Sequence, residues 1–350
     1  NSTGKPRRAV IIDSKQSQLN RIEAAIHLAI EQEDPVLGRL PRIEVVYGNQ
    51  GGAERYTDLT LPHRAFDGHI RAGRIDGQGV TSHPPYIALR DASPANARAL
   101  LVTSPVTLVF GGWDASRKTR QGRWRSALVG EIVGFCAEGG PDRRGGARVD
   151  PVGMQMQVGP DTALELVKRQ QEELSPKLYQ KILKEVEAAK KKRANISLSH
   201  LGLGGIPPAL NQLAGVACDR IKRTHVLSFA TLRQMRFGCE TPEGDAACRG
   251  LLAALALDGL ARSDHELCLR ANCDLVEDGP TRVTIDRRRG KEEEVSPLAI
   301  EATAKLLGQA LDHAATAAKI EWSGTILRVE GDPDILAGAV ADAEEEEGGE

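Results

Sequence analysis

The stretch Arg8-Ala-Val-Ile-Ile-Asp-Ser-Lys-Gln-Ser-Gln-Leu-Asn-Arg-Ile-Glu23 decides the fold. Four apolar residues, 9–12, end in an acid and read as a short buried strand. Polarity then changes at once, and eight of the nine residues from Asp13 to Arg21 are polar. Leu19, Ile22, Ala25, Ile26, Ala29 and Ile30 recur at helical spacing, so a helix is predicted over 20–33. Ser14 or Ser17 caps it, and Asp34-Pro35 stops it.

Working outward, strands are predicted at 43–47, 106–110, 226–232, 268–276, 281–285 and 325–329. Helices are predicted at 161–172, 176–193, 245–260 and 297–315. The second of these opens on Ser175-Pro176, a cap followed by a first-turn proline. Residues 126–135 read as helix or strand. Residues 80–90 read as a hairpin arm, with Pro84-Pro85 excluding a central strand. The polar, glycine-rich span 48–79 is long for a connection, and such spans are usually functional or disordered. The result is an α+β fold with large insertions rather than a regular βαβ array. A single elaborated domain over 8–340 is expected, with insertions at 48–95 and 139–195.

The chain has 350 residues and a formal net charge of -2, which conceals an asymmetry. Residues 1–130 hold 18 Lys/Arg against 12 Asp/Glu, a net of +6. The last ten residues hold six acids and no base, so 341–350 is expected to be a disordered acidic tail. Aromatic residues make up only 3%, so the core must be aliphatic. No run is apolar and long enough to span a membrane. No secretory h-region follows the first residues, and a cytoplasmic protein is expected. The six cysteines lack a repeated zinc spacing, and free, largely buried thiols in a reducing compartment are expected. No metal or cofactor is expected. Gly202-Leu-Gly-Gly-Ile-Pro-Pro208 lacks the Lys-Ser/Thr of a P-loop, and no nucleophile-elbow or zinc-protease motif occurs. Asp13, with His63 and Asp67 downstream, is compatible with acid–base or metal chemistry, or with plain turn capping.

Against that neutral background stands Ser116-Arg-Lys-Thr-Arg-Gln-Gly-Arg-Trp-Arg-Ser126, with no acid between Asp114 and Glu131. Arg117, Lys118, Arg120, Arg123 and Arg125 flank a tryptophan. Arginines beside a ring suit a backbone-contacting surface for a single-stranded nucleic acid; a solvated loop is the alternative. The 13–21 segment adds amides and cations that bind phosphates and sugars without sequence preference, or that simply start a helix.

Together these blocks carry a resemblance. Asp13-Ser-x-Gln-Ser-Gln-x-Asn-Arg-x-Glu23 resembles the N-terminal signature of the RAMP-superfamily backbone subunit of type I-U (type I-G) CRISPR interference complexes. Four further blocks resemble the same family. They are Leu61-Pro-His-Arg-x-x-Asp67, Phe110-Gly-Gly-Trp-Asp-Ala-Ser-Arg117 with Arg125-Ser-Ala-Leu-Val-Gly-Glu-Ile-Val-Gly134, Leu201-Gly-Leu-Gly-Gly-Ile-Pro-Pro208, and Leu227-Ser-Phe-Ala-Thr-Leu-Arg-Gln-Met-Arg-Phe237. The 145–193 stretch is longer and more helical than the family pattern, and the acidic tail departs from it.

The resemblance implies a ferredoxin-like or RRM-like palm with finger- and thumb-like insertions. It implies a non-catalytic subunit that polymerises along CRISPR guide RNA, holds its phosphate backbone and presents its bases to target DNA. The partners implied are the guide RNA, the target DNA, further copies head-to-tail and other subunits of the complex. Lys15, Gln16, Ser17, Gln18, Asn20 and Arg21 would contact the guide backbone. His63 and Arg64 would lie in a mobile element touching RNA or the next copy, and Trp113 would stack on, or wedge beside, a base. Arg117, Lys118, Arg120, Arg123 and Arg125 would grip phosphates, with Glu131 positioning one arginine; Arg233 and Arg236 would line the groove. The rival readings are a metal-dependent target-RNA endonuclease subunit, using Asp13, Asp67 or Asp114, and a structural module without nucleic acid.

Overall fold

The first apolar run forms strand β1 (Ala9–Asp13), and the helical spacing after it forms α1 (Lys15–Glu31). Ser14 is the cap, its side chain accepting from the Ser17 N–H. The computed structural model describes residues 8–49, 52–114, 122–143, 157–197, 199–201, 214–269 and 273–335. After α1 come β2 (Arg42–Asn49), β3 (Gly52–Thr57), α2 (Gly68–Ala72), β4 (Arg74–Ile75) and β5 (Gln78–Gly79). Three short helices follow: α3 (Pro84–Arg90), α4 (Arg98–Thr103) and α5 (Pro105–Phe110). The middle of the chain holds β6 (Gly112–Trp113), β7 (Arg123–Trp124), β8 (Leu128–Arg143), β9 (Gln157–Val158), α6 (Pro160–Arg169), α7 (Pro176–Lys192) and β10 (Ile196–Ser197). The remainder is β11 (Ala214–Leu227), α8 (Phe229–Leu232), α9 (Pro242–His265), β12 (Val283–Asp286), β13 (Glu292–Val295), α10 (Ile300–Ala318) and β14 (Ile326–Glu330). The fold is α+β with several small sheets and insertions, the class predicted from the sequence.

The chain divides into two compact units. The larger is Val10–Gly134 with Ile221–Ile335, and the smaller is drawn mainly from Phe135–Arg220. The larger unit is built on a five-stranded sheet of order β3-β2-β14-β4-β5. There β14 pairs in parallel with β2, placing Leu327 against Ile43 and Val329 against Val45. Ile43, Val45, Tyr47 and Val329 are buried. Helix α9 is rich in Ala and Leu and buries residues on all sides, among them Leu251, Leu252, Leu255 and Ala256. A helix apolar all round belongs in a core. Helix α1 crosses it at Gly259, where a Cβ would stand 2.6 Å from Ile26 Cδ1. Buried Asp258 accepts from Thr303 Oγ1 at 3.0 Å and Arg262 Nε at 2.8 Å, and Arg262 reaches on to Asp34.

The smaller unit packs α6 on α7 around Ala163, Val167, Ile182, Val186 and Ile196. Ser175 caps α7 and Pro176 fills its first turn, as the sequence signals. Strands β9 and β10 close its edge, pairing Val158 with Ile196.

Several expectations are corrected. Residues 106–110 form helix α5, not a strand. Every residue from Pro105 to Phe110 is buried, and a short apolar run does not distinguish the two states. The decisive signal is Ser104-Pro105, which places proline in a helix's first turn. The same reason turns the expected hairpin arm at 80–90 into α3, with Pro84 at its start. Strand β11 stops at Leu227, because Ser228 caps α8 through the Thr231 N–H. Residues 126–135 resolve to the start of β8. No strand occurs among the described residues of 268–276. The 48–79 span is built structure rather than an open connection, with Leu59, Leu61, Ala65, Phe66, Ile70 and Ile75 buried. The thiols are free, but only Cys248 is buried and Cys268 is exposed.

Candidate nucleic-acid interface

The site grows from a buried ion pair in the larger unit. Glu23, on the inner face of α1, accepts from Arg64 Nε and from Arg64 Nη2 at 2.7 Å. Arg64 also donates to the Gly111 carbonyl at 3.0 Å, and its guanidinium lies over the Phe110 ring at 5.7 Å. Burial pushes the Glu23 carboxyl up, and Arg64 opposes that push. One side chain thus ties α1, the 64–66 turn and the end of α5 together.

Gly111 turns the chain out of α5 with φ +88, a conformation that favours glycine. A Cβ there would stand 2.8 Å from the Trp124 carbonyl. The turn launches β6, which pairs with β7 so that Gly112 faces Trp124 and Trp113 faces Arg123. Trp124 points inward and is buried, whereas Trp113 is 48% exposed. The Arg123 guanidinium lies 4.6 Å from the centre of the Trp113 ring, a cation–π pair standing at the surface.

An open cleft of about 210 Å³ lies against this hairpin. Gln16, Pro62, His63, Arg64, Gly112 and Trp113 contribute to its lining. It therefore joins three of the five sequence blocks: the start of α1, the Leu61–Asp67 block and the Phe110–Trp113 block. Lys15, Gln16, Asn20, His63, Arg123 and Arg125 are exposed. Gln16 donates to Asn20 Oδ1 at 2.7 Å. Lys15 lies 3.9 Å from Glu131, so Glu131 sits by a lysine rather than by Arg125.

Other predicted contacts are engaged inside the fold. Gln18 is buried, donates to Asp13 and accepts from Arg223 Nε at 2.9 Å. Arg21 donates to Asp13 at 3.1 Å and to the Cys268 carbonyl, and Ser17 is half-buried beside it. Arg64 is only 4% exposed, which corrects its expected place in a mobile element. The sequence shows their polarity but not their partners, which lie up to 247 residues away. Arg233 and Arg236 are exposed after α8, outside the cleft lining, and Arg236 pairs with Asp245 at 3.7 Å. Arg117, Lys118 and Arg120 lie outside the described residues, as do 202–208 and the acidic tail. Trp124, Ser126 and Pro62 were missed as cleft residues. The exposed–buried–exposed order of Arg123, Trp124 and Arg125 is the period-2 signal that identifies Trp124 as the inward residue.

The acids named for catalysis have structural partners. Burial alone would raise the Asp13 carboxyl, but hydrogen bonds from Arg21, Gln18 and Ser17 outweigh it and hold it low. Asp67 caps α2 through the His69 N–H at 3.0 Å. Asp114 is buried, with Arg71 at 3.6 Å.

The site thus defines an α+β protein with an open cleft where amides, a histidine and an arginine-stacked tryptophan meet. Residues 1–138 match the model of a family described as CRISPR-associated protein GSU0053. The match covers the first 138 of 350 residues, and every cleft residue falls inside it. The match makes this stretch similar to a CRISPR-associated family, the association to which the sequence blocks pointed. No curated protein matches the chain. Among the described residues no helix is long and apolar enough to cross a membrane.

Proposed function

We propose that this protein is a non-catalytic subunit that polymerises along CRISPR guide RNA. It holds the phosphate backbone and leaves the bases free to pair with target DNA. The observation that carries this reading is the cleft, where Gln16, His63 and the Trp113–Arg123 pair converge in the stretch that matches a CRISPR-associated family. The chemistry suits the task. A subunit that serves any guide must not read bases, so its contacts are cations, amides and a ring that stacks on any base. Arg117, Lys118 and Arg120 follow β6 within seven residues in the sequence and would add cations for the same backbone. Copies arranged along one strand meet through head-to-tail contacts rather than a closed dimer, and other subunits of the interference complex are further partners.

The test is filter binding of the full chain to single-stranded RNAs of unrelated sequence over a range of salt. Trp113→Ala with Arg123→Ala is expected to weaken every RNA alike, by roughly 5- to 100-fold for one lost stacking contact. The salt slope is expected to fall by about one unit for the lost cation. Unchanged binding in a folded double variant would sink the proposal. Regular cleavage of complementary RNA with Mg²⁺, abolished by substitution of Asp13, Asp67 or Asp114, would replace it with an endonuclease.

A further inference from the structure

We infer that the tip of the β12–β13 hairpin is a second clamp for a phosphodiester backbone, separate from the cleft. It extends the proposed function but rests on its own observations. The five-residue loop between the paired ends Asp286 and Glu292 reads Arg287-Arg-Arg-Gly-Lys291. All five residues are exposed, and no residue of either strand is buried. The hairpin is therefore not there to fill a core.

Its charges are sorted along its length. In the body, Arg282 pairs with Glu292 at 3.1 Å and Glu294 at 3.5 Å, and Arg287 pairs with Glu293 at 2.6 Å. The acids of β13 are thereby engaged from the β12 side. The remaining carboxylate, Asp286, accepts from the Arg288 backbone N–H at 2.8 Å. No acid among the described residues forms an ion pair with Arg288, Arg289 or Lys291. The tip thus presents three cations at the end of a stalk that carries two cations and four carboxylates, so the positive charge is concentrated at the tip.

The backbone gives the independent argument. Arg288, Arg289 and Gly290 have φ of +69, +56 and +74. Consecutive left-handed positions in a hairpin loop select Gly, which has no Cβ to strain, and Asn, whose short polar side chain hydrogen-bonds locally. Arginine at two of them is a poor choice for the turn. It places two guanidinium forks at the outermost point of the stalk, and such a fork matches the geometry of a phosphate. Contacts of these forks to phosphate oxygens carry no sequence information, so the clamp holds strands of any sequence.

The experiment uses the full chain and two variants whose folding is checked by thermal melting. In one, Arg288→Ala, Arg289→Ala and Lys291→Ala remove the charge. In the other, Arg288→Asn and Arg289→Gly supply the residues that the turn prefers. Binding to single-stranded RNA and to an RNA–DNA heteroduplex is measured against salt. The salt slope is expected to fall by about 2–3 units in the first variant and about 1–2 in the second. The Asn/Gly variant is expected to melt at or above the parent temperature while losing slope, which a merely structural role would not produce. Loss on single-stranded RNA assigns the clamp to the guide strand; loss on the heteroduplex alone assigns it to the target strand. Unchanged slopes on both substrates overturn the clamp, even if Trp113→Ala still weakens binding and the cleft stands. The opposite pattern keeps the clamp and removes the cleft. Failure of the parent chain to bind either substrate overturns both. Self-association lost in the tip variant, with slopes unchanged, would instead assign the tip to an acidic protein surface and overturn the clamp.

Discussion

Arg64 and Trp113 meet in one cleft, yet they do opposite work. Arg64 is a buried charge whose removal would leave Glu23 without its counter-ion. Breaking a buried pair costs about 3–5 kcal/mol. Arg64→Ala is therefore expected to lower the urea midpoint sharply, and Glu23→Gln in the same chain to restore part of the loss. Trp113 is half out of the fold, and its pairing with Arg123 is worth about 0.5–1 kcal/mol at an exposed site. Trp113→Ala is expected to leave the urea midpoint nearly unchanged while weakening RNA binding. A large stability loss from Trp113→Ala would show that the ring is a packing residue. Sequence alone does not separate these two residues. Arg64 sits in the Leu61–Asp67 block and Trp113 in the Phe110–Arg117 block, neither block signals which is buried, and the burial of Arg64 is decided by the Glu23 partner 41 positions away.

Among the elements, β4 shows how closely the sheet is fitted. A Cβ on Gly73 would stand 2.7 Å from the Glu330 carbonyl of β14 and would also meet the Val329 side chain. The strand pairing of Arg74 with Glu330 depends on that approach. Gly73→Ala is expected to cost about 1–3 kcal/mol, as overpacking does. Gly48→Ala, with nothing within 4 Å of its new Cβ, serves as the neutral control in the same denaturation series. The elements with strong local signals were legible in advance: β1, α1, α7, α9, α10 and β14 fall where spacing, caps and prolines place them. Those decided by tertiary burial were not. The apolar run of α5 carries no periodicity because all its sides are buried, and β3 to β5 are short and polar. The cleft was legible as separate blocks, but the contacts that orient Gln18, Arg21 and Arg64 cross the chain and have no local signature.

At the scale of the whole molecule, a buried carboxyl and a half-buried imidazole set opposing responses to pH. Burial pushes the Asp58 carboxyl up to about 7 from 3.8. The unfolded chain releases that proton first, so stability declines as pH rises from about 4 to about 7. Burial, with Arg223 nearby, holds His225 down to about 4 from 6.5. There the unfolded chain takes up the proton first, so stability declines as pH falls from about 6.5 to about 4. The two slopes oppose each other across the overlap. Urea midpoints from pH 4 to 8 are expected to show Asp58→Asn gaining on the parent as pH rises to 7. His225→Gln is expected to gain on the parent as pH falls to 4. Parallel curves for all three chains would refute the assignment.

The placement of β14 carries a cost that is measured in time. The strand that fills the middle of the larger sheet, between β2 and β4, is the last of that sheet's five to be synthesised. At ordinary ribosomal speeds of about 5–20 residues per second, roughly 15–60 s separate the emergence of β2 from that of β14. Throughout that interval β2 and β4 each present an open edge, the kind of surface on which nascent chains pair wrongly. A chain that ends at Ala318 keeps the helices but never receives its keystone strand. It is expected to leave the soluble fraction even though the cleft residues are all present.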